Sequence, residues 1–386
     1  MSGIHQLKGV IKQYDWGGSS FIPSLLQQEN PGKKPFAEYW MGVHPLGHSM
    51  VETGNGEWKQ LAELTGPLPY LLKILDVKDM LSIQVHPSKE SAAEGFEREN
   101  LLGIPLNSPT RNYKDANHKP ELIVALSDFW LLHGFKSPEE LVYTLLNVVE
   151  LRELLPVFND SGYAGLYKQV MEMPQEEVNR TLHPLIDNIA DIYKETEPQK
   201  EDEDFWAARA ATKFCKDGNI DRGIFSIYLF NLVHLKKGEA IFQDAGLPHA
   251  YLEGQCVEIM ANSDNVLRGG LTTKHIDATE LLKNTRCEAT FVNILEGEEM
   301  TPSQKLYAAP VTDFKLNAIE LQAGHTVDIN PSGPEILVLT EGMVELTNAG
   351  GTLDLKAGQP SAALLPGTPI KVKAMTNSVV FRAHSV

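Results

Sequence analysis

The sequence predicts a mainly β protein with a helical insertion, and three observations along the chain predict it. Short apolar runs broken by Gly, Pro and Asn fill residues 1–134, as is typical of many short strands joined by loops. Helical patterns then occupy residues 135–222, and short strands resume beyond them. Because the chain has 386 residues, more than one core usually supports, we expect about two or three domains.

The helical insertion begins at a capping box. Ser137 is a typical N-cap, Pro138 suits the first helical turn and Glu140 completes the box. Leu141 and Leu145 follow at helical spacing, which predicts one buried face. Two further amphipathic segments, PQEEVNRTLHPLIDNIADIYKE and EDEDFWAARAATKFCKDG, predict more helices before residue 222.

The segments after the insertion indicate strands again. The run GIFSIYLFNLVHLKKGEAIFQ, which starts at residue 223, predicts strands with a turn at Lys237 and Gly238. Towards the carboxy terminus, short strands alternate with Gly-rich turns at the spacing of a sandwich or barrel. We therefore expect a first β domain made of residues 1–134 and 223–300, a helical insertion over 135–222 and a final β domain over 301–386.

The composition argues against several classes of protein. A formal net charge of -17 disfavours a nucleic-acid or anionic-membrane partner, because phosphate backbones are bound by clustered Lys and Arg. No run approaches the roughly 18 apolar residues of a membrane span, and the amino terminus lacks a signal pattern, so we expect a cytoplasmic protein. Cys215, Cys256 and Cys287 lack a CxxC spacing, which argues against a disulfide framework or a thiolate zinc site.

Four polar side chains form a candidate metal site. Gln84 and His86 lie two apart on a strand and therefore point to the same side. Glu121 opens the strand ELIVAL, and His249 lies at a turn between strands. Two imidazoles, a carboxylate and an amide oxygen are a donor set that suits zinc. The alternative for Gln84 and His86 is a hydrogen-bonded polar pair in a core.

Basic residues cluster beside the same segments. The first group precedes Glu121 and consists of Arg111, Lys114, His118 and Lys119. Arg268 and Lys274 follow His249 at a short distance along the chain. In so acidic a protein, cations beside a candidate metal site indicate the capture of an anion, and a guanidinium suits phosphate geometry. For each residue taken singly, a surface salt bridge is the alternative.

Seven motifs give the chain a resemblance to a known family. They are YDWGG, AEYWMGVHP, LLKILD, LSIQVHP, RNYKDANHKPEL, PHAYLEG and EIMANSDNVLRGGLT. In this order and over nearly the whole chain, they resemble the type I mannose-6-phosphate isomerases. The resemblance implies a zinc-dependent isomerase that interconverts mannose 6-phosphate and fructose 6-phosphate through an enediol. It also implies two cupin-like domains of the jelly-roll or β-barrel type plus an α-helical domain, the second cupin-like domain being without metal.

By motif match, the resemblance assigns the zinc ligands to Gln84, His86, Glu121 and His249, with one ion per chain, and the active-site arginine to Arg268. A neutral amide ligand adds an oxygen without cancelling the charge of the ion, so the ion keeps its Lewis acidity. The cupin turn pattern is partly met by Gly238, Gly246 and His249, with Asp244 in the place of its proline.

The proton carrier stays open among several residues. The candidates for it are Glu258, Asp264, Lys119 and His118. A base needs reach to the proton and a suitable pKa, and the sequence gives neither. The candidates for substrate binding are Lys73, Ser82 and Lys274 for the phosphate, together with His118 and Trp16. For two of these residues a structural role is the alternative to substrate binding: Lys73 could extend from a strand edge to solvent, and Trp16 could pack in a core.

Two rival functions use the same pattern. A non-catalytic sugar-phosphate sensor would keep the basic pocket, and a cupin oxygenase would hold iron with two histidines and one carboxylate. The presence of Gln84 and of the NVLRGGLT string favours the isomerase. We expect a small-molecule sugar phosphate as partner, no nucleic acid or membrane, and a monomer.

Overall fold

The structure is a computed structural model and describes residues 3–54, 56–195, 199–367 and 369–385, without the side chains of 191–195. The described strands, β1 to β23 in chain order, are Ile4–Lys8, Val10–Lys12, Glu38–Gly42, Met50–Glu52, Trp58–Gln60, Tyr70–Val77, Ile83–Val85, Glu121–Ala125, Phe129–Phe135, Phe230–Leu235, Ala240–Gln243, His249–Ala261, Leu267–Gly270, Glu298–Thr301, Gln304–Tyr307, Lys315–Leu321, Thr326–Ile329, Glu335–Glu341, Val344–Asn348, Gly351–Leu355, Ser361–Leu364, Ile370–Ala374 and Ser378–His384. The described α-helices, α1 to α9, are Phe21–Leu25, Leu61–Thr65, Lys89–Leu101, Pro138–Asn147, Leu155–Glu172, Gln175–Glu195, Glu203–Phe214, Gly223–Leu229 and Ala278–Asn284, and a 3-10 helix spans Val149–Leu154.

The described strands form three sheets, which confirms a mainly β chain with a helical region. A ten-stranded sheet contains β10-β9-β12-β6-β3-β2 together with β7, β8, β11 and β13. A nine-stranded sheet has the order β14-β15-β16-β23-β18-β21-β1-β4-β5, and a four-stranded sheet has the order β17-β22-β19-β20. None of the described helices has the length and apolarity that a membrane crossing requires.

The first strand joins the sheet of the carboxy-terminal strands. Strand β1 pairs antiparallel with β21, with Ile4 opposite Leu364, and on its other side with β4. Part of the segment 1–134, which the sequence assigns to the first β domain, is therefore hydrogen-bonded to strands of the segment 301–386. Pairing over so long a separation leaves no local pattern in the sequence, because only the period of each strand is encoded locally.

The helices of the insertion begin at the predicted capping box, and one helix lies beyond residue 222. The Ser137 hydroxyl accepts a hydrogen bond from the Glu140 backbone N–H, and the Glu140 carboxylate accepts one from the Ser137 N–H, which confirms the capping box. The strand prediction from residue 223 is wrong for α8, where Gly223–Leu229 is a fully buried helix. A continuous apolar run fits a buried helix as well as a buried strand. Helices α3 and α9 also lie within segments predicted as β.

One long strand connects the two halves of the ten-stranded sheet. The first half of β12 pairs with β9, and its second half pairs with β6 and β8. The change of partners occurs at Gly254, whose φ is +130° and where a Cβ would lie 2.5 Å from the carbonyl oxygen of Asp128. Glycine is therefore required at this bend. The bend lets β12 contribute His249 and Glu258 to one polar interior.

Candidate metal centre and active site

Three predicted ligands converge in the interior of the ten-stranded sheet. His86 follows β7 directly, Glu121 opens β8 and His249 opens β12. The His86 Nε2 atom lies 3.4 Å from Glu121 Oε1, and the His249 Nε2 atom lies 3.3 Å from Glu121 Oε2. One ligand atom from each side chain lies within 4.8 Å of the other two, and all three residues are buried. A single cation can therefore contact all three.

The backbone fixes the orientation of both imidazoles. His86 Nδ1 lies 2.8 Å from the carbonyl oxygen of Asn265, and His249 Nδ1 lies 2.9 Å from that of Leu247. Since a carbonyl only accepts, each Nδ1 carries a proton, and each Nε2 is the ring atom that faces Glu121. Burial, followed by the nearby Lys119 charge, lowers the pKa of His86 to about 4, so the ring is neutral.

The buried atoms of this group fit a zinc ion. His86 is fully enclosed, and its Nε2 atom has no hydrogen-bond partner among the described residues. An unpaired buried acceptor is costly, and a cation satisfies it. Two neutral imidazoles and one carboxylate are donors that zinc prefers.

Gln84 lies next to this group on β7. Its Cα is opposite that of His249 on one side and opposite that of Arg268 on β13 on the other. Its side chain lines the large cavity beside the three ligands. The pairing is compatible with an amide oxygen at the metal, and Gln84 as a fourth ligand stays a prediction.

A cavity of about 610 Å³ adjoins the centre, because Lys119 both lines it and contacts Glu121, and it gathers most of the predicted site residues. The predicted residues that line it are Trp16, Lys73, Ser82, Gln84, Lys119, Asp264, Arg268 and Lys274. Besides the three converging ligands, Glu258 and His118 lie outside the lining. Glu258 is buried behind Lys73, and His118 Nε2 lies 3.0 Å from Asp313 Oδ2. Arg111 instead stabilises its own loop through an ion pair with Glu99.

A network of buried charges surrounds the metal group. Lys73 Nζ lies 2.7 Å from Glu258 Oε2 and 3.7 Å from Glu38 Oε2. Lys119 Nζ lies 2.8 Å from Glu121 Oε1. Burial opposes a charge on Lys73, but the carboxylates of Glu258 and Glu38 outweigh it and raise the pKa of this lysine. Lys73 therefore keeps its proton.

Two cations on the cavity wall have no such partners. Among the residues that the structure describes, neither Arg268 nor Lys274 forms an ion pair with a carboxylate. Burial lowers the pKa of Arg268, and burial together with the charge of Arg268 lowers the pKa of Lys274. Because both cations are partly desolvated and mutually repulsive, an anion bound between them would be strongly favoured.

The sequence did not indicate four residues of this site. Glu38 lies two residues before Trp40 on one strand, and Tyr251 lies two residues after His249 on another. Because residues two apart on a strand point to the same side, strand alternation could have predicted both. The Tyr251 hydroxyl lies 3.3 Å from Glu121 Oε2 and 3.1 Å from Glu258 Oε1.

Of the other two residues, Asn265 lies within the motif EIMANSDNVLRGGLT, which gave it no role, and Lys213 carries no local signal. Asn265 is fully buried, and its amide bonds to the backbone of the segment 114–117 that precedes Lys119. Lys213, from α7 of the helical insertion, lines the cavity and pairs with Asp79 at 3.1 Å.

Comparisons with known proteins agree with this geometry. Residues 4–138 match the family Phosphomannose isomerase type I, catalytic domain. The chain is 34% identical to the mannose-6-phosphate isomerase of Escherichia coli K12 over 96% of this chain and 97% of the relative. It is 35% identical to that of Salmonella typhimurium over 92% of this chain and 93% of the relative.

Solved structures of such enzymes have the same fold. A mannose 6-phosphate isomerase from Salmonella typhimurium with bound fructose 6-phosphate and zinc superposes with a TM-score of 0.86 at 31% identity, covering 100% of both chains. A zinc-bound form of a mannose 6-phosphate isomerase gives a TM-score of 0.87 at 32% identity with the same coverage. From this length of match and this identity, the chain belongs to the type I phosphomannose isomerase family.

Proposed function

We propose that the chain interconverts mannose 6-phosphate and fructose 6-phosphate at one zinc ion per chain. The observation that carries the proposal is the convergence of His86, Glu121 and His249 beside a cavity whose wall holds two cations without an ion-pair partner among the described residues. Relatives that match almost end to end are mannose-6-phosphate isomerases, and one solved relative holds both fructose 6-phosphate and zinc. The enzyme is therefore an aldose-ketose isomerase.

The proposed zinc ligands are Gln84, His86, Glu121 and His249. A zinc ion in this group supplies Lewis acidity, which stabilises negative charge that develops on the substrate oxygens. Glu121 is the single anion among these four residues, so most of the positive charge of the ion is retained. The Tyr251 hydroxyl donates a hydrogen bond to the Glu121 carboxylate and holds this side chain in place.

Arg268 and Lys274 are the proposed phosphate ligands, with Ser82 as an uncharged donor on the same wall. A phosphate dianion supplies the negative partner that these two cations lack. Lys73, predicted for the same role, already has Glu258 and Glu38 as partners, which favours a position near the reacting carbons instead. Trp16 also lines the cavity and offers an apolar ring face to the sugar.

The proton transfer is assigned to groups that border the cavity. Asp264 is the predicted base candidate that lines the cavity and carries a carboxylate, and its Oδ1 atom lies 3.4 Å from His44 Nε2. We assign the removal of the carbon-bound proton to Asp264. Lys119 and Lys73 present ammonium groups that hydrogen-bond the two reacting oxygens. Glu258 holds the Lys73 ammonium in position at 2.7 Å, and His118 supports the loop of Lys119.

The domain organisation belongs to the same proposal. The predicted organisation has two cupin-like β domains, one over residues 1–134 and 223–300 and a metal-free one over 301–386, with an α-helical domain over 135–222. The structure departs from these bounds at β1, β4 and β5, which belong to the sheet of the carboxy-terminal strands, and at the helix Gly223–Leu229. The monomeric state and the cytoplasmic location stay predictions from the sequence.

Metal analysis and an assay of mannose 6-phosphate conversion, with and without a chelator, test the function. We expect bound zinc, activity that a chelator abolishes, and activity that added zinc restores. Zinc-bound protein that binds the sugar phosphate without converting it would support the sensor instead. Oxygen consumption with bound iron would support the oxygenase.

Two variants test the separate roles of the ligands and of the arginine. In Arg268→Ala we expect kcat to fall far more than zinc content, because the guanidinium contacts substrate rather than metal. In Gln84→Glu we expect zinc to be retained and the rate to fall, because a second carboxylate lowers the net charge of the centre. Full activity of the Gln84 variant with normal zinc, or loss of zinc in the Arg268 variant, would contradict these roles.

A further inference from the structure

The turn that follows β13 forms part of the cavity wall and has an unusual backbone. This turn, residues 270–274, begins at the last residue of β13, two positions after Arg268, and contributes Leu271, Thr272, Thr273 and Lys274 to the lining. Leu271 has a φ of +52°, a left-handed conformation that residues with a side chain rarely adopt. Such a conformation persists only where the surroundings hold it.

Asp221 of the helical insertion holds this turn. Its Oδ1 atom accepts a hydrogen bond of 2.7 Å from the Leu271 N–H, and its Oδ2 atom accepts one of 3.1 Å from the Thr272 N–H. The same Oδ1 atom accepts a 2.7 Å bond from the N–H of Gly223, the first residue of α8. One carboxylate therefore joins the start of a buried helix to two consecutive N–H groups of the turn. Hydrogen bonds to a charged acceptor are the stronger kind.

Two glycines bring the turn and the helix into direct backbone contact. A Cβ on Gly270 would lie 2.4 Å from the Cα of Gly223, and a Cβ on Gly223 would lie 2.5 Å from the Leu271 nitrogen. The backbone segments therefore touch without intervening side chains. Because α8 is buried along its whole length, it gives Asp221 a rigid support.

We propose that Asp221 is a positioning residue for the substrate phosphate. By holding Leu271 and Thr272, it fixes the direction in which Lys274 and the threonine hydroxyls face the cavity. The helical insertion then takes part in substrate recognition, although Asp221 itself is outside the cavity lining. The inference rests on the proposed function, in which Arg268 and Lys274 bind the phosphate.

The test compares Asp221→Ala and Asp221→Asn with the parent enzyme in its zinc-bound form. The KM for mannose 6-phosphate and the inhibition constant of inorganic phosphate are measured together with kcat and zinc content. We expect Asp221→Ala to raise both the KM and the phosphate inhibition constant about tenfold, with a smaller fall in kcat and unchanged zinc. Asp221→Asn keeps one carbonyl oxygen for the N–H groups, so its values fall between those of the parent and the alanine variant. If the alanine variant does not fold, the asparagine variant carries the test.

Asp204→Asn is the matched control. Asp204 is a half-buried carboxylate of the same helical insertion that accepts a 2.7 Å bond from the Tyr228 hydroxyl, and it does not line the cavity. We expect this variant to lose stability while keeping its KM and phosphate inhibition constant. The inference would be overturned if the KM and the phosphate inhibition constant rose equally in the Asp204 and Asp221 variants. It would also be overturned if neither constant rose in a folded Asp221 variant.

Two further variants separate the inference from the proposed function. If Lys274→Ala and Arg268→Ala leave the phosphate inhibition constant unchanged, the phosphate site itself is wrongly placed. If these two variants raise the phosphate inhibition constant and the Asp221 variants do not, the phosphate site is supported and the positioning role of Asp221 is wrong.

Discussion

The two β regions of the molecule use their interiors in opposite ways. In the ten-stranded sheet, charged and polar side chains such as His86, Glu121 and Lys73 are almost completely buried. Between the nine-stranded and the four-stranded sheets, the interior consists of aliphatic side chains such as Leu337 and Val372. Both regions have similar antiparallel strands.

The difference shows which interior is specialised for chemistry. Burying apolar side chains stabilises a fold directly, whereas burying charges costs free energy that close pairing only partly offsets. The aliphatic interior therefore contributes stability, and the polar interior contributes a preorganised site. Buried charges in the carboxy-terminal strands lie at a strand end, where Glu335 forms two hydrogen bonds of 2.6 and 2.7 Å with Arg382.

The largest expected effect comes from breaking the polar interior. Glu121→Gln removes the anion that faces both histidines, so we expect activity to fall about a thousandfold. Zinc content should fall with it, because a neutral amide attracts the cation less. Steady-state kinetics and metal analysis measure the two effects. Wild-type activity with full zinc would show that Glu121 has no role in metal binding or catalysis. The proposed difference between the two interiors would then be wrong.

Breaking the buried pair of the other region should change stability and leave catalysis intact. Glu335→Gln leaves Arg382 without its carboxylate, so we expect the free energy of unfolding to fall by about 3 kcal/mol. Denaturant titration measures this loss, and kcat of the folded variant should stay at the parent value. A fall in kcat comparable to that of the Glu121 variant would show that the carboxy-terminal region contributes to the chemistry.

A pH titration sharpens the comparison within the polar interior. Burial lowers the pKa of His133 from 6.5 to about 4, and this residue bonds to Gln243. As pH falls below 6.5, the unfolded state takes up the proton first, so stability decreases between pH 6.5 and about 4. Because of this residue, the free energy of unfolding falls by about 1.4 kcal/mol for each pH unit in this range. Urea unfolding of the metal-free protein across this range should give a shallower slope for His133→Asn, and an identical slope would contradict the assignment.

The smallest effect is expected where the two regions touch. His118 and Asp313 are partly exposed, and the segment 114–117 next to His118 is also held by Asn265. We expect Asp313→Asn to cost less than about 1 kcal/mol of stability. The change in kcat/KM should stay within about twofold, because Asn265 still holds the loop. A tenfold loss of kcat/KM would mean that the carboxy-terminal region positions the loop of Lys119.

Local patterns predicted the features that depend on neighbouring residues. The spacing of Gln84 and His86 placed both side chains on one face of a strand, and Ser137 with Glu140 gave the start of the insertion. The motif resemblance brought Glu121 and His249 to the same centre. These features depend on strand alternation, capping chemistry and specific motifs, and each is written within a few consecutive residues.

The remaining features depend on contacts between distant segments. The helix Gly223–Leu229 is mostly apolar and buried along its whole length, so its period gave no indication of its type. Asp221 stabilises a turn 50 positions away, and β1 pairs with a strand near the other end of the chain. No short sequence pattern records such partners.

The position of β1 has a consequence for the order of folding during synthesis. The Gln6 side chain donates a hydrogen bond to the Ser361 carbonyl oxygen, 355 positions later. Strand β1 is therefore translated long before its β21 neighbour and stays without it while the intervening residues are made. Its open edge is then available to other nascent chains until β21 has emerged.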